Sequence, residues 1–486
     1  MLFNSLGFLL FFPTVCIVYW LLPGRGVARS FFLLVASYWF YMSWQPVYGL
    51  LIALVTIAAW GVALCMGDAA DSDAVGVKRQ RGRRLWLAGG LIAVLSVLFV
   101  YKYLDFFGHE IARVMHMAGV AVDVPDFGLL LPVGISFYTF QATGYLVDVY
   151  RGDMRPERSL LHFALFVSFF PQLVAGPIEQ ARNLLPQLHA RHTFSGDAVR
   201  SGLNLMLWGY FMKLCVADNL SPYVDAVFGH TEYHGGWSFM LATVFYTFQI
   251  LCDFGGYSLI AIGAARCMGF RLTSNFRQPY LAVSIKDFWR RWHVSLSGWF
   301  THYLYIPLGG NRCGAMRHAL NVMTVFLVSG LWHGAAWTFV LWGGAHGLMM
   351  VIHSRWQRLG RLPGAGMPRW LTLPLSTAFT FSFVALAWVL FRAQSLGDAA
   401  EIYSGIFSCF TGHGGTLYKG DGMKMLMLCV AMICILAIRE LRLRMAGSDE
   451  EYPEHPVREG LRGGLLLVCI LMFGNFNSNS FIYFQF

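Results

Sequence analysis

A single imidazole stands in the string Gly330-Leu331-Trp332-His333-Gly334, near the middle of a stretch from His318 to Ser354 that holds no Asp, Glu, Lys or Arg. Such surroundings put His333 at bilayer depth, where an ionisable side chain is costly unless it has partners or lines a water-filled cavity. Histidine is also the side chain best matched to proton transfer near neutral pH, so the chemistry to expect is that of a general base. The competing reading is structural, since a membrane histidine can serve only as an interhelical hydrogen-bond donor. A second imidazole, His293, lies earlier in a polar and aromatic segment and is able to flank the same cavity.

The elements that must position these residues follow from composition. The 486-residue chain is 57% hydrophobic, 16% aromatic and only 13% charged, with a mean hydropathy of +0.54. That leaves too few polar side chains to cover soluble domains, whereas apolar runs of about 20 residues fit the bilayer core. The expected fold is an all-α polytopic integral membrane protein, one membrane domain over residues 1–486 with membrane lipid as its surroundings. The first run, Leu2 to Leu22, lacks a basic leader and a small-residue cleavage site and reads as a retained helix. Later runs include Val47 to Gly67, Leu85 to Leu104, Ser159 to Ile178, Trp237 to Gly269, Asn321 to Ile352 (long enough to be bent or doubled) and Trp370 to Phe391. Together they suggest roughly ten to twelve crossings.

The formal net charge of +10 does not point to nucleic acid, because the basic residues cluster in short loops beside apolar runs. Arg25 and Arg29, then Lys78 to Arg84, then Arg151, Arg155 and Arg158 mark alternate loops as cytoplasmic. The alternation fails after Ile178, which reads Ser159 to Ile178 as a re-entrant segment buried by protein. Ten Cys occur without a C-x-x-C pair and mostly inside apolar runs, so they give neither a disulfide framework nor a zinc site.

Between Thr273 and Arg317 the character changes, with Asn275, Arg277, Lys286, Asp287, Arg290, Arg291, His293 and Arg312 mixed among aromatic residues. A stretch of this kind reads as short helices lining a cavity or lying at the interface. Ser284-Ile285-Lys286-Asp287 has capping-box form, and a helix starting there puts Asp287 and Arg291 at i,i+4 as a structural pair.

The strings LPVGISFYTFQ (Leu131 to Gln141), SFFPQLVAGPIEQ (Ser168 to Gln180), DFGGYS (Asp253 to Ser258), NFRQPYLAVSIKDFWRRWHVSLSGWF (Asn275 to Phe300), YLYIPLGGNR (Tyr303 to Arg312) and SGLWHGAAWTFVLWGGAHG (Ser329 to Gly347) resemble the membrane-bound O-acyltransferase family. Within it they look most like the bacterial branch that acetylates alginate and peptidoglycan, related to the teichoic-acid D-alanylation protein. The resemblance implies a ring of tilted helices around a central cavity, with a catalytic core near residues 237–353. It implies that His333 is the essential histidine and that His293 occupies the second signature position. Trp332, Trp337, Asn275 and Asp253 fall in the matched strings and are expected to line the cavity. Gly255, Leu259 and Thr301-His302 depart from the branch pattern, which bears on donor and acceptor identity and not on the two imidazoles.

The resemblance further implies transfer from a cytoplasmic thioester, acetyl-CoA, onto an extracytoplasmic polysaccharide, in a multi-pass protein of the bacterial cytoplasmic (inner) membrane. An extracytoplasmic acetyltransferase of the SGNH type is the expected partner, since this chain shows no separate soluble domain to hold a glycan. No metal and no tightly bound cofactor is expected. Lys286, Arg290, Arg291 and Arg312 are candidates to meet the phosphates of the donor, or else form a snorkelling interfacial face. His333 is read as the base and His293 as the group that polarises the carbonyl, with transient acylation of His333 as the alternative. D-alanyl transfer and a polysaccharide transporter are the other readings. A metal-dependent desaturase is disfavoured because His189 with His192, and His230 with His234, read as loop pairs without further ligands.

Overall fold

A backbone wrapped in apolar side chains must satisfy its own N–H and C=O groups, and a helix does so within one segment. The computed structural model describes residues 1–24, 27–71, 76–174, 176–359, 368–448, 456–476 and 482, and among them every regular element is helical. Arg25 of the basic loops lies outside the described residues. The α-helices are α1 (Leu6–Leu21), α2 (Ala28–Met42), α3 (Tyr48–Asp71), α4 (Gly76–Lys102), α5 (Leu104–Met117), α6 (Ile135–Arg151), α7 (Leu160–Ser168), α8 (Phe170–Leu173), α9 (Ala181–His189) and α10 (Gly196–Tyr210). They continue with α11 (Asp218–Gly229), α12 (Gly236–Cys267), α13 (Ile285–Trp289), α14 (Val294–Phe300), α15 (Ala315–His333), α16 (Trp337–Arg358), α17 (Arg369–Arg392), α18 (Leu396–Ser408), α19 (Met423–Ala446) and α20 (Pro456–Phe473). Among the described residues, four helices are each long and apolar enough to cross a membrane: Tyr48–Gly67 within α3, Gln80–Lys102 within α4, α12 and α17.

The chain gathers into two compact units, one of Met1–Met206 with Ile260–Thr273 and one of Leu207–Leu259 with Ser274–Phe486. In the first, the run expected to be re-entrant is two short helices, α7 and α8, hinged at Phe169 and buried almost throughout. Nine and four residues cannot span a bilayer, so the buried protein surroundings must satisfy their free ends. Ser37 does part of this by accepting a hydrogen bond from the Phe170 N–H at 3.1 Å.

In the second unit the long run Asn321 to Ile352 is doubled, as α15 and α16 joined by Gly334, Ala335 and Ala336. Glycines let the two helices touch. A Cβ on Gly330 would collide with the carbonyl oxygen of Phe339, and one on Gly343 with that of Phe326. His333 is therefore the last residue of α15, at the joint of a helical hairpin, and not in the middle of one continuous apolar helix. The polar segment folds as short pieces, as its composition predicts. Ser284 caps α13 by accepting from the Asp287 N–H at 3.2 Å, and Arg291 Nε donates to Asp287 Oδ1 at 2.8 Å. The capping box is not closed reciprocally, because the Asp287 carboxylate takes the N–H of Val283 instead of Ser284.

Candidate active site

Three elements of the second unit meet around Trp332 and His293. His333 and Trp332 end α15, His293 is the residue before α14, and Phe254 comes from α12. The indole of Trp332 lies 4.9 Å from the His333 ring and 6.3 Å from the His293 ring, centre to centre, so the two imidazoles predicted to share a cavity flank one side chain. Both are buried, His333 at 4% exposure and His293 at 0%.

His293 is held in an unusual way. Its backbone is left-handed, with φ +43°, and besides Gln278 it is the only described non-glycine residue with positive φ. For a residue with a β-carbon that conformation costs about 1–2 kcal/mol. The turn is fixed on both sides, by Val294 N–H donating to Asn275 O at 3.0 Å and Ser297 N–H donating to His293 O at 3.0 Å. Asn275 also accepts from the Ser295 hydroxyl at 2.7 Å. Thus Asn275, predicted as a cavity residue, acts on the backbone that aims His293. The imidazole packs edge-on against Phe254 at 4.7 Å, and neither ring nitrogen has a hydrogen-bond partner among the described residues. A fully buried imidazole whose nitrogens find no partner among the described residues is expensive and needs a reason, of which a catalytic role is one.

Around His333 the shell is aromatic, with Trp342 at 5.1 Å and Phe391 at 5.2 Å. Trp342 continues this shell to His346 at 5.0 Å, and Trp289 Nε1 donates to His346 Nδ1 at 3.3 Å. His346 is fully buried, and its Nε2 finds no partner among the described residues. Sequence reasoning missed this position. The only signal for it is the i,i+4 spacing from Trp342 on α16.

The other predicted residues are spread more widely. Asp253 is buried in an ionic group in which Lys213 Nζ lies 2.5 Å from Asp253 and 2.8 Å from Asp218. Its second oxygen accepts from the Ile482 N–H at 2.7 Å. Lys213 sits in a π-helical stretch, Phe211–Ala217, a local widening that recurs at functional sites. Trp337 is 47% exposed at the start of α16. Arg290 and Arg312 are exposed, Arg291 is engaged with Asp287, and Lys286 is half-buried. Lys286 acts electrostatically on His318 together with Arg355 and Arg358, two basic residues at the end of α16 that the sequence reading left out. Elsewhere, in the first unit, His189 is the last residue of α9 and not a loop residue. Its neighbours are Glu157 and His162, which corrects the reading of His189 as lacking further ligands.

Two buried imidazoles flanking one indole within a shell of aromatic rings can take a proton from a hydroxyl and polarise a carbonyl. The comparisons with known proteins identify the family. A model of the membrane-bound O-acyltransferase family matches residues 155–392, a span that contains both imidazoles. The chain is 40% identical over 410 residues to a probable alginate O-acetylase of Azotobacter vinelandii, covering 84% of this chain and 78% of that protein. It is 34% identical over 436 residues to a peptidoglycan O-acetyltransferase of Helicobacter pylori, covering 84% and 80%. To a teichoic acid D-alanyltransferase of Bacillus subtilis it is 26% identical over 362 residues, covering 71% and 85%.

Proposed function

The chain belongs to the membrane-bound O-acyltransferase family, and from that premise we propose that it moves an acetyl group from cytoplasmic acetyl-CoA into the O-acetylation of an extracytoplasmic polysaccharide such as alginate or peptidoglycan, with His333 as the base. The observation that carries this reading is the pairing of His333 and His293 on Trp332 inside an aromatic shell. His333 removes the hydroxyl proton as the oxygen attacks the thioester carbonyl. The tetrahedral intermediate collapses, the C–S bond breaks, and the imidazolium returns the proton to the departing thiolate. His293, neutral and with one N–H, donates to the carbonyl oxygen as negative charge builds there, an effect worth about 3–4 kcal/mol when one such donor is removed.

The direct acceptor is a hydroxyl delivered from the far side, and an SGNH-type acetyltransferase outside the bacterial cytoplasmic membrane completes delivery to the polymer. Lys286, Arg355 and Arg358, which act together on one imidazole, His318, are the basic group assigned to the donor phosphates. D-alanyl transfer is the second reading. It is the weaker one, because identity falls from 40% and 34% for the two acetylating relatives to 26% for the D-alanylating one. The test is a pair of donor assays on purified protein with its native neighbours. Release of free CoA from acetyl-CoA that depends on acceptor and on His333 supports the proposal. Transfer only from an aminoacyl carrier protein overturns it.

A further inference from the structure

We propose that Glu157, His162 and His189 form a binding site for a divalent transition metal of the zinc class. None of the three belongs to the unit that carries His293 and His333. Glu157 lies just before α7, His162 is in the first turn of α7, and His189 ends α9. One donor atom from each lies within 4.8 Å of the other two. His189 Nε2 is 2.8 Å from Glu157 Oε2, and the His162 and His189 rings are 4.0 Å apart, centre to centre. Tetrahedral zinc with ligand bonds of about 2.0–2.2 Å needs its donors roughly 3.3 Å apart, so closing the set takes only side-chain adjustments.

A plain ion pair between His189 and Glu157 leaves the third member unexplained. Two imidazoles brought ring to ring repel if both are protonated, whereas two neutral imidazoles sharing a cation each offer a lone pair to it. The surroundings have the second layer that a metal site needs. Glu157 Oε1 accepts from the Ser159 N–H at 2.8 Å, which leaves Oε2 facing His189. The Glu157 N–H donates to the Tyr145 hydroxyl at 2.8 Å and fixes the backbone. Of the His162 nitrogens, Nδ1 is 2.9 Å from the Ser159 hydroxyl and Nε2 is 3.4 Å from the Ser30 hydroxyl, so whichever binds metal, the other has a hydroxyl to orient it.

The set of two nitrogens and one carboxylate selects the metal. A single carboxylate is too few for Ca²⁺ or Mg²⁺, which are held by several oxygen ligands, while a borderline ion is bound through imidazole. His189 is 46% exposed, so a fourth position opens to solvent and water fills it. The metal would clip the start of α7 to the end of α9.

The test uses full-length protein purified in detergent without a histidine tag, stripped with chelator and titrated with Co²⁺. The expected result is one equivalent of Co²⁺ with visible absorption bands that Zn²⁺ abolishes, and a higher Tm with Zn²⁺ present. His189→Ala and the more conservative Glu157→Gln should each weaken Co²⁺ binding at least tenfold. His192→Ala should leave it intact, because that ring nitrogen is already 2.7 Å from the Gln187 carbonyl. Wild-type protein that takes up no stoichiometric Co²⁺, or a folded Glu157→Gln protein that binds it as tightly as wild type, overturns the proposal.

Discussion

Replacing His293 by glycine and by alanine separates a chemical role from a packing role, because the backbone there already favours glycine. At φ +43° alanine keeps the strain and glycine relieves it, so the glycine variant should be the more stable of the two by about 1–2 kcal/mol. Against wild type, both lose ring contacts with Phe254 and Trp332, each worth about 0.5–1.5 kcal/mol beyond burial, and both leave a void. Both also remove two buried nitrogens without partners among the described residues, which cost about 1–3 kcal/mol each in the wild-type fold. These terms nearly cancel for glycine, and its stability should stay within about 2 kcal/mol of wild type. Activity should not cancel. If His293 polarises the thioester carbonyl, turnover falls by about a hundredfold or more in both variants, since one positioned donor carries that much.

The assay measures acetyl-CoA turnover and thermal unfolding on the same purified samples. A His293→Gly protein that is stable and turns over at the wild-type rate would refute the reasoning, leaving His333 as the sole chemical assignment. A loss of activity that merely tracks the folded fraction would also refute it, by making the residue a packing element.

Three further outcomes follow from the same geometry. His333→Ala should abolish polymer acetylation in cells while the protein remains inserted at normal levels, measured as polymer acetate content beside an immunoblot of membranes. Lys213→Met strands two buried carboxylates and should destabilise by about 3–5 kcal/mol, whereas adding Asp218→Asn and Asp253→Asn should recover most of the lost Tm. Gly343→Val forces a side chain against the Phe326 carbonyl, and should pry α15 from α16 with loss of both Tm and turnover, in contrast to a neutral Gly298→Ala, where a Cβ meets open space.

What was legible in the sequence was whatever depends on residue type alone. A charge-free run around an imidazole announced His333, and the shift to mixed polar and aromatic residues announced short pieces in place of a span between Thr273 and Arg317. The cap at Ser284 and the Asp287–Arg291 pair were legible because they obey local spacing. Burial against distant segments was not. Nothing local says that Lys213 will lie between Asp218 and Asp253, or that His346 will accept from Trp289. The left-handed turn at His293 was equally hidden, since propensity argues against it and hydrogen bonds with Asn275 and Ser297 hold it. Likewise Glu157, His162 and His189 are unremarkable as letters, and become a ligand set only when α9 returns beside the start of α7.

On the proposed chemistry, the aromatic shell supplies a selectivity that the imidazole alone cannot provide. A base able to deprotonate an acceptor hydroxyl can equally deprotonate water, so the site must favour transfer over hydrolysis by excluding water and not by basicity. Trp332, Trp342 and Phe391 stand at 4.9, 5.1 and 5.2 Å from the His333 ring and present faces that offer water little to bind. The same rings bring few permanent dipoles, and the low local dielectric strengthens each remaining hydrogen bond to the developing oxyanion. His293, whose ring nitrogens have no partner among the described residues, is then a donor free to meet the carbonyl oxygen. The strained turn that holds it and the desolvation it suffers are stability given up for that readiness, consistent with a site whose structure is set by the reaction and not by packing.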